Sequence, residues 1–176
     1  DDDLFSTLSH SVFQVVSIVS TTGFSSSNFA VWPLFSQMLL FTLMLIGGCS
    51  NSMAGGVKID RILVAIKTIK REMSIKLHPN RSKSITLDKK TLSSDTVRGI
   101  IGFLMLYIVT LILFIAIVSL NSPDIGTAVS SVARCLSNVG TGLAKIGPLG
   151  TYSIFNGFTK IVLAFVMLAG RLELFA

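Results

Sequence analysis

The sequence predicts an all-α membrane protein built from two similar helix–pore loop–helix repeats. Three observations support this fold class. Apolar residues make up 51% of the chain and charged residues only 14%, whereas soluble domains carry roughly 25% charged residues. Two short polar segments with a central glycine, residues 20–25 and 137–142, are related by an offset of 117 residues. Each follows a short apolar segment and precedes a longer one, which is the pattern of a re-entrant loop.

The two polar segments contain the residue types of an ion-coordinating turn. Ser20 aligns with Ser137, and Gly23 aligns with Gly140. Backbone carbonyls can replace the water shell of an ion, and glycine lets the chain turn its carbonyls toward an axis. An ordinary Ser/Gly loop at the end of a buried helix explains a single copy better. Two copies in register favour the pore loop.

A basic block lies between the two repeats. Eleven of the fifteen Lys and Arg residues fall between Lys58 and Arg98, together with four acids, so this interval carries a net charge of +7. A basic block flanked by apolar spans indicates the cytoplasmic side of a membrane. Nucleic-acid binding is the competing interpretation, but the block lies between membrane segments and lacks interleaved aromatic residues. We therefore predict that residues 58–98 are cytoplasmic and that the glycine-centred loops face outward.

The first repeat is predicted to contain a pore helix and a broken helix. Residues 4–19 are too few and too polar to span a bilayer, so they fit a pore helix that enters from the outer side. The next helix begins at Trp32-Pro33, but its apolar run to Ile46 reaches only about 22 Å of the ~30 Å hydrocarbon core. A glycine-rich segment, residues 47–56, then interrupts the helix before it resumes to residue 76.

The glycine-rich segment has two interpretations. Non-helical backbone at membrane depth is tolerated where protein or a water-filled cavity satisfies its polar groups. The segment is then a flexible intramembrane loop beneath the first pore loop and a candidate gate. The alternative is a plain cytoplasmic turn between two helices. The candidate gating residues are Gly47, Gly48, Gly55 and Gly56.

The second repeat follows a cytoplasmic loop, residues 77–95, in which residues 84–87 and 91–93 suggest a small hairpin. We expect a spanning helix at 97–120, a pore helix at 125–137 and a final helix at 151–171. At an offset of 123 residues, Gly47 aligns with Gly170 and Gly48 with Arg171. A charge at membrane depth usually faces a cavity rather than lipid. Arg171 is equally well explained as an inner-end residue that snorkels or pairs with Glu173.

Other polar side chains give no sign of catalysis or metal binding. His10 fits a neutral packing residue, His78 a loop residue before Pro79, and Cys49 and Cys135 buried structural thiols. Spaced acid pairs, nucleophile elbows, HExxH and Walker motifs do not occur in the sequence. The chain is therefore not expected to be an enzyme. Arg134 within the second predicted pore helix is unusual and is assigned no role.

The residues and their order resemble the Trk/Ktr/HKT superfamily of potassium transporter pore subunits, most closely the bacterial TrkH type. The resemblance covers nearly the whole chain. It rests on the segments Thr21-Thr22-Gly23-Phe24, Gly47-Gly48-Cys49-Ser50-Asn51-Ser52-Met53-Ala54-Gly55-Gly56-Val57-Lys58, His78-Pro79-Asn80, Asn138-Val139-Gly140-Thr141-Gly142 and Gly170-Arg171-Leu172-Glu173.

The resemblance implies a potassium-channel-like architecture with four tandem repeats around a pseudo-fourfold pore. Residues 1–95 would be the third repeat without its first helix, and residues 96–176 the fourth repeat. The glycine-rich loop and Arg171 would control permeation below the filter. Thr141 stands where the family commonly has Pro, and Ser20 where this subgroup more usually has Thr. By resemblance, K⁺ binds at filter carbonyls of Ser20, Thr21, Thr22, Gly23, Phe24, Asn138, Val139, Gly140 and Thr141.

The implied function is gated potassium uptake across the cytoplasmic (inner) membrane, with K⁺ as the transported ion and no organic cofactor in this chain. The implied partners are the N-terminal repeats of the same protein, a second copy in a homodimer, membrane lipid and a TrkA-type regulatory subunit that binds NAD or ATP. No nucleic acid is expected. The alternative is an ion-coupled secondary transporter, since broken helices with glycine-rich interruptions occur there as well.

Overall fold

The computed structural model describes residues 4–49, 52, 54–77, 85–87, 90–143, 146–148 and 150–172. The predicted helix stop at His78-Pro79-Asn80 and the partner residue Glu173 lie outside these ranges. The described residues form helices and one short hairpin. The elements are α1 (Leu4–Val19), a 3-10 turn (Phe29–Val31), α2 (Leu34–Ile46), α3 (Ile59–Leu77), β1 (Thr86–Leu87), β2 (Lys90–Thr91), α4 (Ser94–Ser119), α5 (Ile125–Leu136), a 3-10 turn (Tyr152–Ile154) and α6 (Gly157–Arg171).

The first half of the chain is a helical pair, α1 packed on α2. The 3-10 turn between them is capped by Asn28, whose side-chain oxygen accepts a hydrogen bond from Ala30 N at 3.2 Å. Phe29 in this turn is buried and packs edge-on against Trp32, with 6.4 Å between ring centroids. Pro33 precedes the first residue of α2, where its missing N–H costs nothing. These contacts set the direction in which α2 leaves the turn.

The connection between α2 and α3 brings the start of α3 back to the end of α2. Gly47 ends α2 with φ +71°, a value that favours glycine. The described residues that follow, 48, 49, 52 and 54–56, are not helical, and Val57 and Lys58 return to the end of α2. Val57 N donates to Leu45 O at 3.0 Å, and Lys58 N donates to Ile46 O at 2.8 Å. Two of the carbonyls at the end of α2 are therefore satisfied by the two residues that precede α3.

The second half of the chain is organised around α5. Eight of its twelve residues are buried, and it contacts α4, α6 and α2. Val132 and Leu136 anchor the main apolar cluster, together with Leu163 and Val166 of α6. In contrast, α1 buries only Gln14, Ser17 and Ile18.

α4 is the membrane-length helix of the described chain. Its 26 residues extend about 39 Å, and it alone among the described helices is long and apolar enough to cross a membrane. Ser93 caps its start, accepting a hydrogen bond from Thr96 N at 3.2 Å. The outer face of α4 keeps large apolar side chains exposed, as a lipid-facing helix does. These exposed residues include Met105, Ile108, Val109, Ile112 and Leu113.

Several element boundaries differ from the sequence prediction. The final helix begins at Gly157 rather than at residue 151, because Tyr152–Ile154 form a 3-10 turn. Its fifteen residues therefore reach only about 22 Å, less than the ~30 Å of a hydrocarbon core. α4 starts at Ser94, three residues earlier than predicted, because Ser93 caps it. The hairpin pairs Thr86 with Thr91 and Leu87 with Lys90, so its second strand begins one residue before the predicted segment 91–93.

The internal repeat extends into the segments that precede α2 and α6. The two 3-10 turns are related by the offset of 123 residues. Trp32 N donates to Phe29 O at 3.2 Å, and the equivalent Phe155 N donates to Tyr152 O at the same distance. The sequence alignment had placed this offset only within the two helices. The structure adds the turn before them.

Gly170 provides a test of the packing between α5 and α6. A Cβ at this position would overlap the Leu136 carbonyl oxygen. We expect Gly170→Ala to lower the stability of the full-length protein by about 1–3 kcal/mol through overpacking. Gly102 on α4 has nothing within 4 Å of such a Cβ, so Gly102→Ala should be neutral or stabilise by up to about 1 kcal/mol. Thermal unfolding in detergent compares the two variants, and equal effects would contradict the close contact.

Candidate functional site

The two glycine-centred segments form the same backbone turn at the ends of α1 and α5. Thr21 and Asn138, which align at the 117-residue offset, have φ values of 55° and 53°. Equivalent hydrogen bonds close the turns, from Thr22 N to Ser17 O at 3.0 Å and from Val139 N to Arg134 O at 3.1 Å. A left-handed residue combined with such a long-range bond is the Schellman pattern of a helix end. The repeat is therefore present in backbone geometry as well as in sequence.

The left-handed residue of the first turn is unusual. Asn138 is of a type that is enriched at positive φ, whereas Thr21 has a branched Cβ that makes this region unfavourable. Conformations of this kind persist only where surrounding contacts hold them, and they occur preferentially at functional sites. The first turn is therefore a strained segment held by its neighbours.

The two turns meet at their glycines. Gly23 has φ +79°, and a Cβ placed on it would overlap Gly140 Cα. A Cβ on Gly140 would in turn lie 2.8 Å from Gly23 Cα. The structure thus brings together the two glycines that the sequence aligned. It also leaves no ion-sized space between these two glycines, so the two turns alone do not enclose an ion.

Polar side chains of α1 hold the outer part of the first turn. Ser17 Oγ donates to Phe24 O at 2.6 Å, and Ser25 Oγ donates to Gln14 Oε1 at 3.2 Å. Gln14 is fully buried, while the Phe24 side chain is 71% exposed. In the sequence, Gln14 and Ser17 indicate only that this helix is polar. Their three-residue spacing, which puts both on one face of α1, was the available signal.

The second turn is more deeply buried than the first. The side chains of Ser137, Val139 and Thr141 are all buried, whereas Ser20 and Thr22 are exposed. The hydroxyl of Tyr107 on α4 lies 3.2 Å from Ser137 Oγ. α4 covers α5 in this half of the chain, and this explains the difference in burial.

One predicted gating residue, Gly55, contacts the base of the second turn, and so does Gly170, which precedes the predicted gating residue Arg171. A Cβ on Gly55 would overlap the Ser137 carbonyl oxygen and lie 3.3 Å from Asn138 Cβ. Gly170 contacts the neighbouring Leu136 carbonyl. Arg171 follows it as the last residue of α6, and its side chain is exposed. The glycine-rich segment and the end of α6 therefore converge on residues 136–138.

The glycines predicted for gating are closely packed in this conformation. Gly47 has no room for a Cβ because the Gly55 carbonyl oxygen occupies that space. A Cβ on Gly48 would lie 2.7 Å from Ser52 Oγ, and one on Gly56 would lie 2.9 Å from Leu45 O. The sequence predicts that these glycines make the loop flexible. In the structure, close backbone contact also requires them.

The chemistry available at the turns is that of neutral oxygen ligands. No group of three or more His, Cys, Asp or Glu side chains that could hold a metal ion occurs in the described part of the chain. Backbone carbonyls and hydroxyls suit alkali cations rather than transition metals. Near the second turn, burial raises the pKa of the Tyr152 phenol above its usual range, so this hydroxyl stays neutral.

These features define a class of helical proteins in which short helices end in paired glycine turns beside an interrupted helix. The family described as "TrkH: Cation transport protein" matches residues 4–176. The chain belongs to this family, as the resemblance in sequence predicted.

Known relatives agree with this assignment. The Trk system potassium uptake protein TrkH of Salmonella typhimurium is 36% identical over 99% of this chain, and TrkH of Halomonas elongata is 34% identical over 96%. The crystal structure of the potassium transporter TrkH from Vibrio parahaemolyticus superimposes with a TM-score of 0.88 over 97% of this chain, at 34% identity. The chain spans about a third of the length of these proteins, 36%, 34% and 36% respectively.

The contact between Tyr107 and Ser137 is open to measurement by a double-mutant cycle. We expect Tyr107→Phe and Ser137→Ala each to destabilise the full-length protein, because each leaves a buried hydroxyl without its partner. The double variant should be more stable than the sum of the two losses predicts, with a coupling energy of about 0.5–1.5 kcal/mol. Thermal or denaturant unfolding in detergent gives the four values. Strict additivity would show that the two hydroxyls do not interact.

Proposed function

We propose that this chain forms part of a selective pore for potassium uptake, with the two turns contributing backbone carbonyls to a filter. The observation that carries the proposal is the repetition of one turn conformation at Thr21 and Asn138, with Gly23 and Gly140 in contact. The proposed ion-binding residues are Ser20, Thr21, Thr22, Gly23, Phe24, Asn138, Val139, Gly140 and Thr141. The names of the relatives, which describe potassium uptake, support K⁺ as the ion.

Two turns cannot surround an ion. Carbonyl filters use a ring of segments around an axis. In this chain the backbones of Gly23 and Gly140 are in direct contact. Two further turns from preceding repeats of the same protein would complete the ring and separate the glycines. The relatives are about three times as long as this chain, which leaves room for such repeats. Residues 1–95 and 96–176 then correspond to the third and fourth repeats.

The proposed orientation follows from charge. Residues 58–98 carry most of the basic side chains and are assigned to the cytoplasm, as is the C-terminus, in a multi-pass protein of the inner membrane. α4 runs outward from this basic side, and α1 and α5 are pore helices whose turns form the outward-facing filter. Exposed apolar side chains on α4 would then contact lipid.

The proposed gate lies directly below the second turn. Gly55 contacts the Ser137 carbonyl, and Gly170 contacts the Leu136 carbonyl. Movement of the glycine-rich loop or of the end of α6 would therefore displace the second turn. Gly47, Gly48 and Gly56 shape the rest of the loop. Arg171 would add a positive charge to the path below the filter, which opposes a cation.

The proposed assembly contains more than this chain. We assign a homodimer and a TrkA-type cytoplasmic subunit that binds NAD or ATP, with membrane lipid around the helices and no organic cofactor or nucleic acid on this chain. The relatives' designation as members of a Trk system is consistent with a multi-component assembly. The exposed lysines of α3, Lys67, Lys70 and Lys76, lie on the side assigned to the cytoplasm, where such a subunit would bind.

Cation flux into proteoliposomes containing the full-length protein tests the proposal. We expect K⁺ and Rb⁺ to pass in preference to Na⁺. Gly23→Ser should lower the K⁺/Na⁺ ratio about tenfold, or roughly 1.4 kcal/mol, because a side chain is disfavoured at the Gly23 φ of +79° and would shift the carbonyls of the turn. Arg171→Ala should raise the K⁺ flux, since it removes a positive charge from the path.

Gly99→Ser on α4 is the matched control, because a Cβ there has nothing within 4 Å, and it should leave the ratio unchanged. Flux that saturates like a carrier, with a ratio unaffected by Gly23→Ser, would favour the ion-coupled secondary transporter. That alternative is based on the interruption between α2 and α3.

A further inference from the structure

We propose that Arg134 is a positioning residue for the second turn, and that the ion selectivity of the pore depends on its contacts with Ile146 and Tyr152. This inference rests on the proposed function. The guanidinium would act by fixing the segment that follows the turn, without touching the ion.

Arg134 occupies the same place in α5 that Ser17 occupies in α1. The two positions align at the 117-residue offset, and the carbonyl of each accepts the backbone hydrogen bond that closes its turn. Ser17 also uses its side chain, which donates to the Phe24 carbonyl just after the first turn at 2.6 Å. The residue at this position therefore holds both ends of the turn, one with its carbonyl and the other with its side chain.

The Arg134 side chain, like that of Ser17, donates a hydrogen bond to a backbone carbonyl after its turn, but this carbonyl lies further along the chain. Its Nη1 donates to Ile146 O at 3.3 Å. The guanidinium carbon lies 4.9 Å from the centroid of the Tyr152 ring, within the range of a cation–π interaction. The Tyr152 hydroxyl is 3.5 Å from Cys135 Sγ, so the ring itself is tied back to α5. The guanidinium is thus held in place by the two segments it connects.

The contacts of Arg134 with Ile146 and Tyr152 form a clamp on the chain after the second turn, and Gly142 and Ser130 complete it. Ser130 Oγ accepts a hydrogen bond from Leu143 N at 2.6 Å. A Cβ on Gly142 would lie 3.1 Å from Ser130 Oγ, 3.3 Å from Arg134 Cδ and 2.8 Å from Ile146 O. The chain just after the second turn therefore passes between the arginine stem and the carbonyl that its guanidinium holds. Any movement of Arg134 frees this segment.

The K⁺/Na⁺ flux ratio distinguishes a positioning role of Arg134 from an effect of its charge. A fixed positive charge near the pore repels K⁺ and Na⁺ alike, because both are monovalent, so losing it changes total flux and leaves their ratio intact. Selection between the two ions depends on how the ligands of the filter are arranged and restrained. Freeing the segment after Thr141 should therefore alter the ratio.

The test compares variants of the full-length protein in proteoliposomes by K⁺ and Na⁺ flux. Arg134→Met keeps the stem and removes the donor and the charge, and it should lower the K⁺/Na⁺ ratio about tenfold, the range expected for loss of a hydrogen bond to a charged group. Arg134→Lys keeps a donor and a cation beside Tyr152, and it should restore most of the ratio. Arg98→Met, which removes an exposed arginine at the start of α4, should not change it.

Each outcome separates this inference from the proposed function. If the wild-type protein shows no preference for K⁺, the proposed function fails. If the wild type is selective and Arg134→Met keeps its ratio, or changes both fluxes equally, the positioning role of Arg134 is wrong while the pore remains. If Arg134→Met does not purify as a folded protein, Tyr152→Leu tests the same clamp. It should lower the ratio, and an unchanged ratio would overturn the inference.

Discussion

The packing of the glycine-rich segment, α6 and α4 depends on the backbone and side chains of residues 136–138. Gly55 from the glycine-rich segment and Gly170 from α6 both press against carbonyls of this stretch, and Tyr107 from α4 reaches the Ser137 hydroxyl. Contacts this close require residues without a Cβ, since a single methyl group would overlap the carbonyl oxygens. Two glycines therefore set how closely the glycine-rich segment and α6 pack against the end of α5.

This arrangement links the proposed filter to the proposed gate mechanically. Interiors are close-packed, so a displacement at one face is transmitted rather than absorbed. The glycine-rich segment is fastened at its ends by hydrogen bonds from Val57 and Lys58 to α2, and it touches the second turn at Gly55. A movement of α3 would therefore act on the turn through a short path. The same turn is held from the other side by Arg134.

The two repeats share a backbone and differ in their side chains. Both turns use a left-handed residue and the same capping hydrogen bonds, but the first is held by Ser17 and Gln14 and the second by Ser130 and Arg134. α4 buries the second turn, while much of α1 remains exposed. A backbone turn at a helix end tolerates many residue types. The side chains that hold the turn can therefore differ between the two repeats while its backbone conformation stays the same.

The sequence by itself determined the family, the helical class and the approximate position of each helix. Apolar runs, the offset of 117 residues and the basic block between the repeats are local or periodic signals that need no knowledge of contacts. The helical class and the family are confirmed, while the filter and gate assignments stay predictions. The tertiary structure decided that Gly23 meets Gly140, that the glycine-rich segment folds against Ser137, and that Arg134 reaches Ile146. These contacts join residues distant in the chain or depend on side-chain reach, so no local pattern specifies them.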